Sequence, residues 1–163
     1  MIIRLAVHEK LRMPQYQGSS LRGVLGHGLR RASCSCGDEL CEKCFNNQSC
    51  PYSIAFHHIE SNEKGSFSGV TTPPNPFVLY PMDKKSLYKP EDKLTFMMTL
   101  FGGGIGYVHH YIMAWDMVNR FGLGKGKARV SLDSISSLSG EIIADGGKLH
   151  PKALNPQDFS EEV

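Results

Sequence analysis

The chain has 163 residues, 40% of them hydrophobic, enough for one domain of ordinary size with a real core. Charged residues make up 21% and the formal net charge is +2, so bulk charge gives no strong polyanion signal and a nucleic-acid argument must rest on where the cations sit. No apolar run reaches the length of a membrane span, and Arg4, His8, Glu9 and Lys10 interrupt the layout of a secretory leader, which leads to the expectation of a cytoplasmic protein without a membrane partner.

In chain order, Met1 to Lys10 alternates in part, with Ile3, Leu5 and Val7 on one side, and predicts a strand. LRMPQYQG is a Pro/Gly connection, after which Ser19 or Ser20 is placed to cap a helix running to about Ala32. Its apolar side carries Leu21, Val24, Leu25, Leu29 and Ala32; the other side carries His27, Arg30 and Arg31, with Arg22 nearer the boundary. Gly23, Gly26 and Gly28 interrupt this helix, each at a cost of up to about 1 kcal/mol against Ala. Three together imply that something approaches the helix backbone closely, whether a ligand or a tightly packed neighbouring element.

All five cysteines then fall within CSCGDELCEKCFNNQSC, from Cys34 to Cys50. Setting Cys36 aside, because it lies one residue from Cys34, the spacing is Cys34-x6-Cys41-x2-Cys44-x5-Cys50. The two-residue gap between Cys41 and Cys44 lets two thiolates meet one ion, and Cys34 and Cys50 complete a tetrahedron. Gly37, Asp38, Asn46 and Asn47 supply the tight turns. Structural zinc is the first expectation; an iron–sulfur cluster has the same four-thiolate requirement. Two disulfides with an odd cysteine, or a loop of spare thiols, are the alternatives, disulfides being scarce in a cytoplasmic setting.

HHIESNEKGSFSGVTTPPNP is polar and turn-rich, FVLYP from Phe77 is a short strand, KKSLYKPED a basic turn and KLTFMMTLF from Lys93 a second strand, the two strands forming a hairpin-like pair. GGGIG leads into a helix from about Tyr107 to Arg120 with Val108, Tyr111, Ile112, Trp115 and Val118 on one side. RVSLDSI from Arg129 is a strand and EIIAD a further short one, before the tail NPQDFSEEV. The order β-α-β-β-α-β, with a Cys-rich insertion at about 33–52, predicts an α+β, ferredoxin-like domain over residues 1–140, followed at 141–163 by a short strand and a tail or linker.

Two glycine-rich stretches separate on context. GGGIG follows a strand and precedes a helix, but G-x-G-x-x-G would need glycine where Tyr107 stands, so a flexible helix entry is the better account. In GLGKGKAR, Gly122, Gly124 and Gly126 expose backbone amides while Lys125, Lys127 and Arg129 place a cation at every second position. Amides plus three cations suit a phosphate backbone; a solvated basic turn is the plain alternative.

Taken in order, LRMPQYQGSSLRGVLGHGLRRASC, the cysteine loop ending in Cys50-Pro51-Tyr52, PPNPFVLYP and FGLGKGKARVSL resemble the CRISPR-associated endoribonucleases that process precursor CRISPR RNA, within the RAMP superfamily. The resemblance covers roughly residues 1 to 140. It implies a ferredoxin-like domain that holds repeat RNA partly through the loop Gly122 to Arg129, in a family whose members usually carry a second such domain. It also implies metal-independent cleavage, in which the 2′-hydroxyl attacks the adjacent phosphate and leaves a 2′,3′-cyclic phosphate. That chemistry needs a base, an acid and cations for the developing charge. His27 is the candidate catalytic residue, since histidine as a residue type suits both acid and base roles and this one shares a helix side with Arg30 and Arg31. Tyr16 is a candidate partner, and His109-His110 and His57-His58 are alternatives. The competing expectations are a non-catalytic RAMP subunit that grips repeat RNA beside other CRISPR effector proteins, and a zinc-stabilised scaffold that binds protein.

Overall fold

The computed structural model describes residues 1–37, 40–57, 74–83 and 85–150. The strands are β1 (Ile2–Val7), β2 (Leu11–Arg12), β3 (Phe77–Pro81), β4 (Leu87–Tyr88), β5 (Lys93–Leu100), β6 (Val130–Ser136), β7 (Ile142–Asp145) and β8 (Lys148–Leu149). The helices are α1 (Gly18–Ser33), α2 (Pro51–Phe56) and α3 (Val108–Asp116). Single 3-10 turns occupy Cys41–Lys43, Gly102–Tyr107 and Met117–Arg120. The fold is mixed α+β. Six strands form one sheet in the order β3-β5-β1-β6-β7-β8, every pairing antiparallel, and β2 pairs with β4 in a separate ribbon.

The period-two pattern of β1 does what alternation requires. Ile3, Leu5 and Val7 are buried, while Ile2, Arg4 and Ala6 are half-buried on the other face. Leu94, Phe96 and Met98 of β5 extend the same apolar face, and Trp115 of α3 lies on it, its ring 4.7 Å from Phe96 and its indole N–H directed at Met98 Sδ at 3.3 Å. Helix α1 contributes Leu21, Val24, Leu25 and Leu29, the i, i+3, i+4, i+8 stripe of an amphipathic helix. Among the described residues, no helix is long and apolar enough to cross a membrane.

Several details depart from the sequence reading. Gln17 is the N-cap of α1 and makes no side-chain cap bond; Ser19 Oγ instead donates to the Tyr16 carbonyl at 3.2 Å. The basic turn KKSLYKPED holds β4, tied to β2 because Tyr88 is fully buried and drags its strand inward. The predicted second helix shortens to α3 and finishes as the 3-10 turn Met117–Arg120. GGGIG coils into a 3-10 turn. Strands β7 and β8 continue the main sheet past residue 140. The tail NPQDFSEEV, Asp38, His58 and most of the polar segment after it lie outside the described residues.

The close approach implied by the helical glycines occurs at Gly28. A Cβ there would overlap the Ala114 carbonyl oxygen, so α1 and α3 cross with backbone against backbone. Gly23 has nothing within 4 Å of such a Cβ. The two positions therefore give opposite expectations. Gly28→Ala should destabilise the fold by about 1–3 kcal/mol, because backbone atoms cannot step aside. Gly23→Ala should stabilise it by about 0.5–1 kcal/mol through reduced chain entropy in a helix. Urea denaturation of both variants measures the difference, and equal midpoints would refute this account of the α1–α3 crossing.

Candidate nucleic-acid interface

Because Gly28 faces α3, its neighbour His27 points off the core and is exposed. The His27 ring stacks on Phe121, centroids 5.8 Å apart and planes inclined by 30°. Phe121 stands just past the 3-10 turn that ends α3, so the same helix pair that closes the core brings these two rings together. Around them opens a groove of about 370 Å³, lined by His27, Arg30, Arg31, Cys34, Gly37 and Phe121. Sequence reasoning identified the imidazole and the two arginines but not the aromatic. The signal for Phe121 was its place immediately before the glycine-lysine turn.

That turn is a four-residue loop closed by the bridge between Leu123 and Ala128, whose backbone groups bond each other in both directions at 3.0 and 2.9 Å. Gly122 and Gly124 have φ of 68° and 73°, the left-handed region. At Gly124 a Cβ would also meet the Arg12 carbonyl, so glycine is required twice over. Lys127 adopts φ of 48° and donates its amide to the Gly124 carbonyl at 3.0 Å. Lys125, Gly126 and Lys127 are exposed. Among the described residues the amides of Gly124, Lys125 and Gly126 have no acceptor, which leaves three successive N–H groups in the turn that carries Lys125 and Lys127.

Two expected contact residues are placed otherwise. Arg129 is not a free cation: its guanidinium is 3.6 Å from Glu9 Oε1, and its amide donates to Glu9 Oε2 at 3.2 Å. Both side chains are more than half exposed, so the pair is worth little in stability, but it lowers the field the turn offers to an anion. Arg22 is half-buried and spent on the fold. Its guanidinium lies 4.7 Å from the Phe56 ring centroid and 5.3 Å from that of Phe77. Asn75, with its amide turned so that the oxygen accepts from Arg22 at 3.1 Å, passes its own N–H to the Ala55 carbonyl at 3.1 Å. Arg22 thus clamps α2 to β3.

The alternative catalytic groups do not assemble around His27. Tyr16 is 76% exposed, and His27 lies nine residues beyond Gly18 along α1, about 13 Å at the helical rise. His57 packs edge-on against Tyr52, and His110 against Tyr107, with Nδ1 buried and unpartnered.

The cysteine loop forms the far wall of the groove. Arg30 Nη2 donates to the Gly37 carbonyl at 3.3 Å while its guanidinium sits 5.9 Å from the Tyr52 ring centroid, tying α1, the loop and α2 together. Cys36 and Cys44 form a disulfide, and Cys34, Cys41 and Cys50 are free thiols. Cys34 and Cys41 are half-buried and Cys50 is buried. Burial pushes the Cys41 thiol up, with the neighbouring Cys50 acting in the same direction and Arg30 against it. Among the described residues, no three His, Cys, Asp or Glu side chains are poised to hold a metal ion.

A family model, AF_1859_N, described as an N-terminal domain, matches residues 1–157. The chain belongs to that family. The match takes in the groove, the turn and the cysteine loop alike. Comparison with curated proteins finds no match.

The division between structural and open arginines is directly measurable. Arg22→Ala should lower stability by about 1–2 kcal/mol, since it removes a cation from between two rings and leaves Asn75 without its donor. Arg31→Ala, which removes an exposed side chain, should leave the thermal midpoint within a degree or two. A differential scanning experiment in which Arg31→Ala is the more damaging change would invert the assignment.

Proposed function

We propose that this domain binds single-stranded repeat RNA as the N-terminal part of a CRISPR RNA-processing endoribonuclease of the RAMP superfamily. One observation carries the reading: an imidazole stacked on an aromatic ring, in a groove with two arginines, and a following glycine turn that carries two exposed lysines and three successive amides without an acceptor among the described residues. Each part answers a different feature of a nucleic-acid strand. Rings stack on bases, guanidiniums and ammonium groups neutralise phosphates, and successive amide N–H groups donate to a phosphate oxygen. The fold agrees with it. Strands β1, β3, β5 and β6 with α1 and α3 give the order β-α-β-β-α-β and the spatial order β3-β5-β1-β6, which we read as ferredoxin-like, with the cysteine loop inserted after the first helix.

If the domain also cleaves, His27 is the group that moves the proton, at the ribose 2′-oxygen or at the leaving 5′-oxygen, and Arg30 and Arg31 face the phosphate charge that develops. The groove lining among the described residues supplies one imidazole and no second imidazole or carboxylate. That observation favours, as the second reading, a non-catalytic RAMP subunit that grips the RNA beside other effector proteins.

Fluorescence anisotropy with a labelled repeat RNA tests the binding. Lys125→Ala with Lys127→Ala should make the slope of log K against log salt less negative by about 1.4, two phosphate contacts on a single strand. Phe121→Ala should weaken binding by about 10- to 100-fold, the cost of one lost stacking platform. An unchanged slope and unchanged affinity would sink the interface. Incubation with the RNA in EDTA then separates the two readings. A 2′,3′-cyclic phosphate product that His27→Asn reduces by about 10²–10⁴-fold supports cleavage. Binding without product supports the gripping subunit.

A further inference from the structure

All five cysteines line a single cavity of about 10 Å³, together with Ser53. That is room for about one water-sized body. Ser53 is 1% exposed, and among the described residues its hydroxyl has no hydrogen-bond partner. The cavity wall offers five sulfurs beside the side chains of Ser35, Asn46 and Asn47. The sulfurs are an all-thiol donor set, the set that selects zinc among the common divalent ions.

We propose that the reduced loop is a tetrathiolate zinc site made by Cys36, Cys41, Cys44 and Cys50, with Cys34 outside it. Cys36 belongs because its sulfur already meets that of Cys44. Cys41 opens the 3-10 turn Cys41–Lys43 and Cys44 follows it, and both line the cavity. Cys50 is the buried thiol at the mouth of α2, its sulfur 4.0 Å from Ser33 Oγ. Cys34 is set apart because it also lines the outer groove with Arg31 and Phe121. The disulfide and the metal exclude one another, since oxidation removes two of the four ligands. A dithiol reductant opens the bond: the dithiol becomes its own cyclic disulfide, and its two protons pass to Cys36 and Cys44. Zn²⁺ then displaces four thiol protons into solvent. The proposal does not depend on the groove holding RNA.

The test is metal analysis of the whole chain purified under dithiol reductant, followed by Co²⁺ titration of the metal-free form. One zinc per chain and the ligand-field bands of tetrahedral, four-sulfur Co²⁺ are expected. Cys34→Ser should keep both, while Ser replacement at Cys36, Cys41, Cys44 or Cys50 should weaken metal affinity at least tenfold. If those four variants misfold, the wild-type chain and Cys34→Ser still decide the matter, since they report ligand number and the spare thiol directly. Four outcomes would overturn the site: no zinc after reduction, Co²⁺ bands of fewer than four sulfurs, iron with sulfide, or loss of metal in Cys34→Ser.

Discussion

Helix α1 lies where it does because Gly28 has no side chain. Its backbone meets the Ala114 carbonyl of α3 at a distance that any Cβ would block, and this contact sets the separation of the two helices over the sheet. Everything outward of it inherits that spacing. His27 is the adjacent residue and Phe121 ends the chain segment that α3 begins, so a shift of α1 by the width of a methyl group would separate the stacked rings. The groove is therefore a by-product of core packing, built from residues that flank the core and not from a mobile loop.

Three arginines on one helix divide according to what stands opposite them. Arg22 meets two rings and an amide and becomes part of the framework. Arg30 reaches a loop carbonyl and a tyrosine ring, joining the framework to the groove. Arg31 is exposed and lines the groove. The glycine turn shows the same sorting, with Glu9 beside Arg129 and Lys125 and Lys127 exposed at the tip. A charge count would give six equal cations, whereas the structure gives two that bind the fold, one that binds its wall and three that face outward.

Much of the fold was legible in the residues, for identifiable reasons. Alternation in β1 and the stripe in α1 are local signals, and both gave the buried face correctly. The short strands β2, β4 and β8 were not legible. Two-residue strands carry no period: β2 and β4 meet where Leu11 and Tyr88 bury in the core, and β8 is an exposed pair of residues on the edge of β7. At the site, His27, Arg30, Arg31 and the lysines of the turn were identified from their helix side and spacing. Phe121 was missed because stacking joins residues far apart in sequence.

The position of β1 in the sheet has a consequence for assembly. It lies at the centre, between β5 and β6, and its terminal amine donates to the Met98 carbonyl while Arg4 reaches Ser136. During synthesis β1 thus has no lateral neighbour until β5 (Lys93–Leu100) has emerged, and its other side stays open until residues beyond 130 follow. Loop closure over such separations is entropically expensive and slow, so helices α1 and α3 and the β3–β5 hairpin are the units able to form early. The N-terminal hexapeptide, an apolar segment with both edges open, is then the part of the nascent chain most exposed to mispairing with another copy of itself.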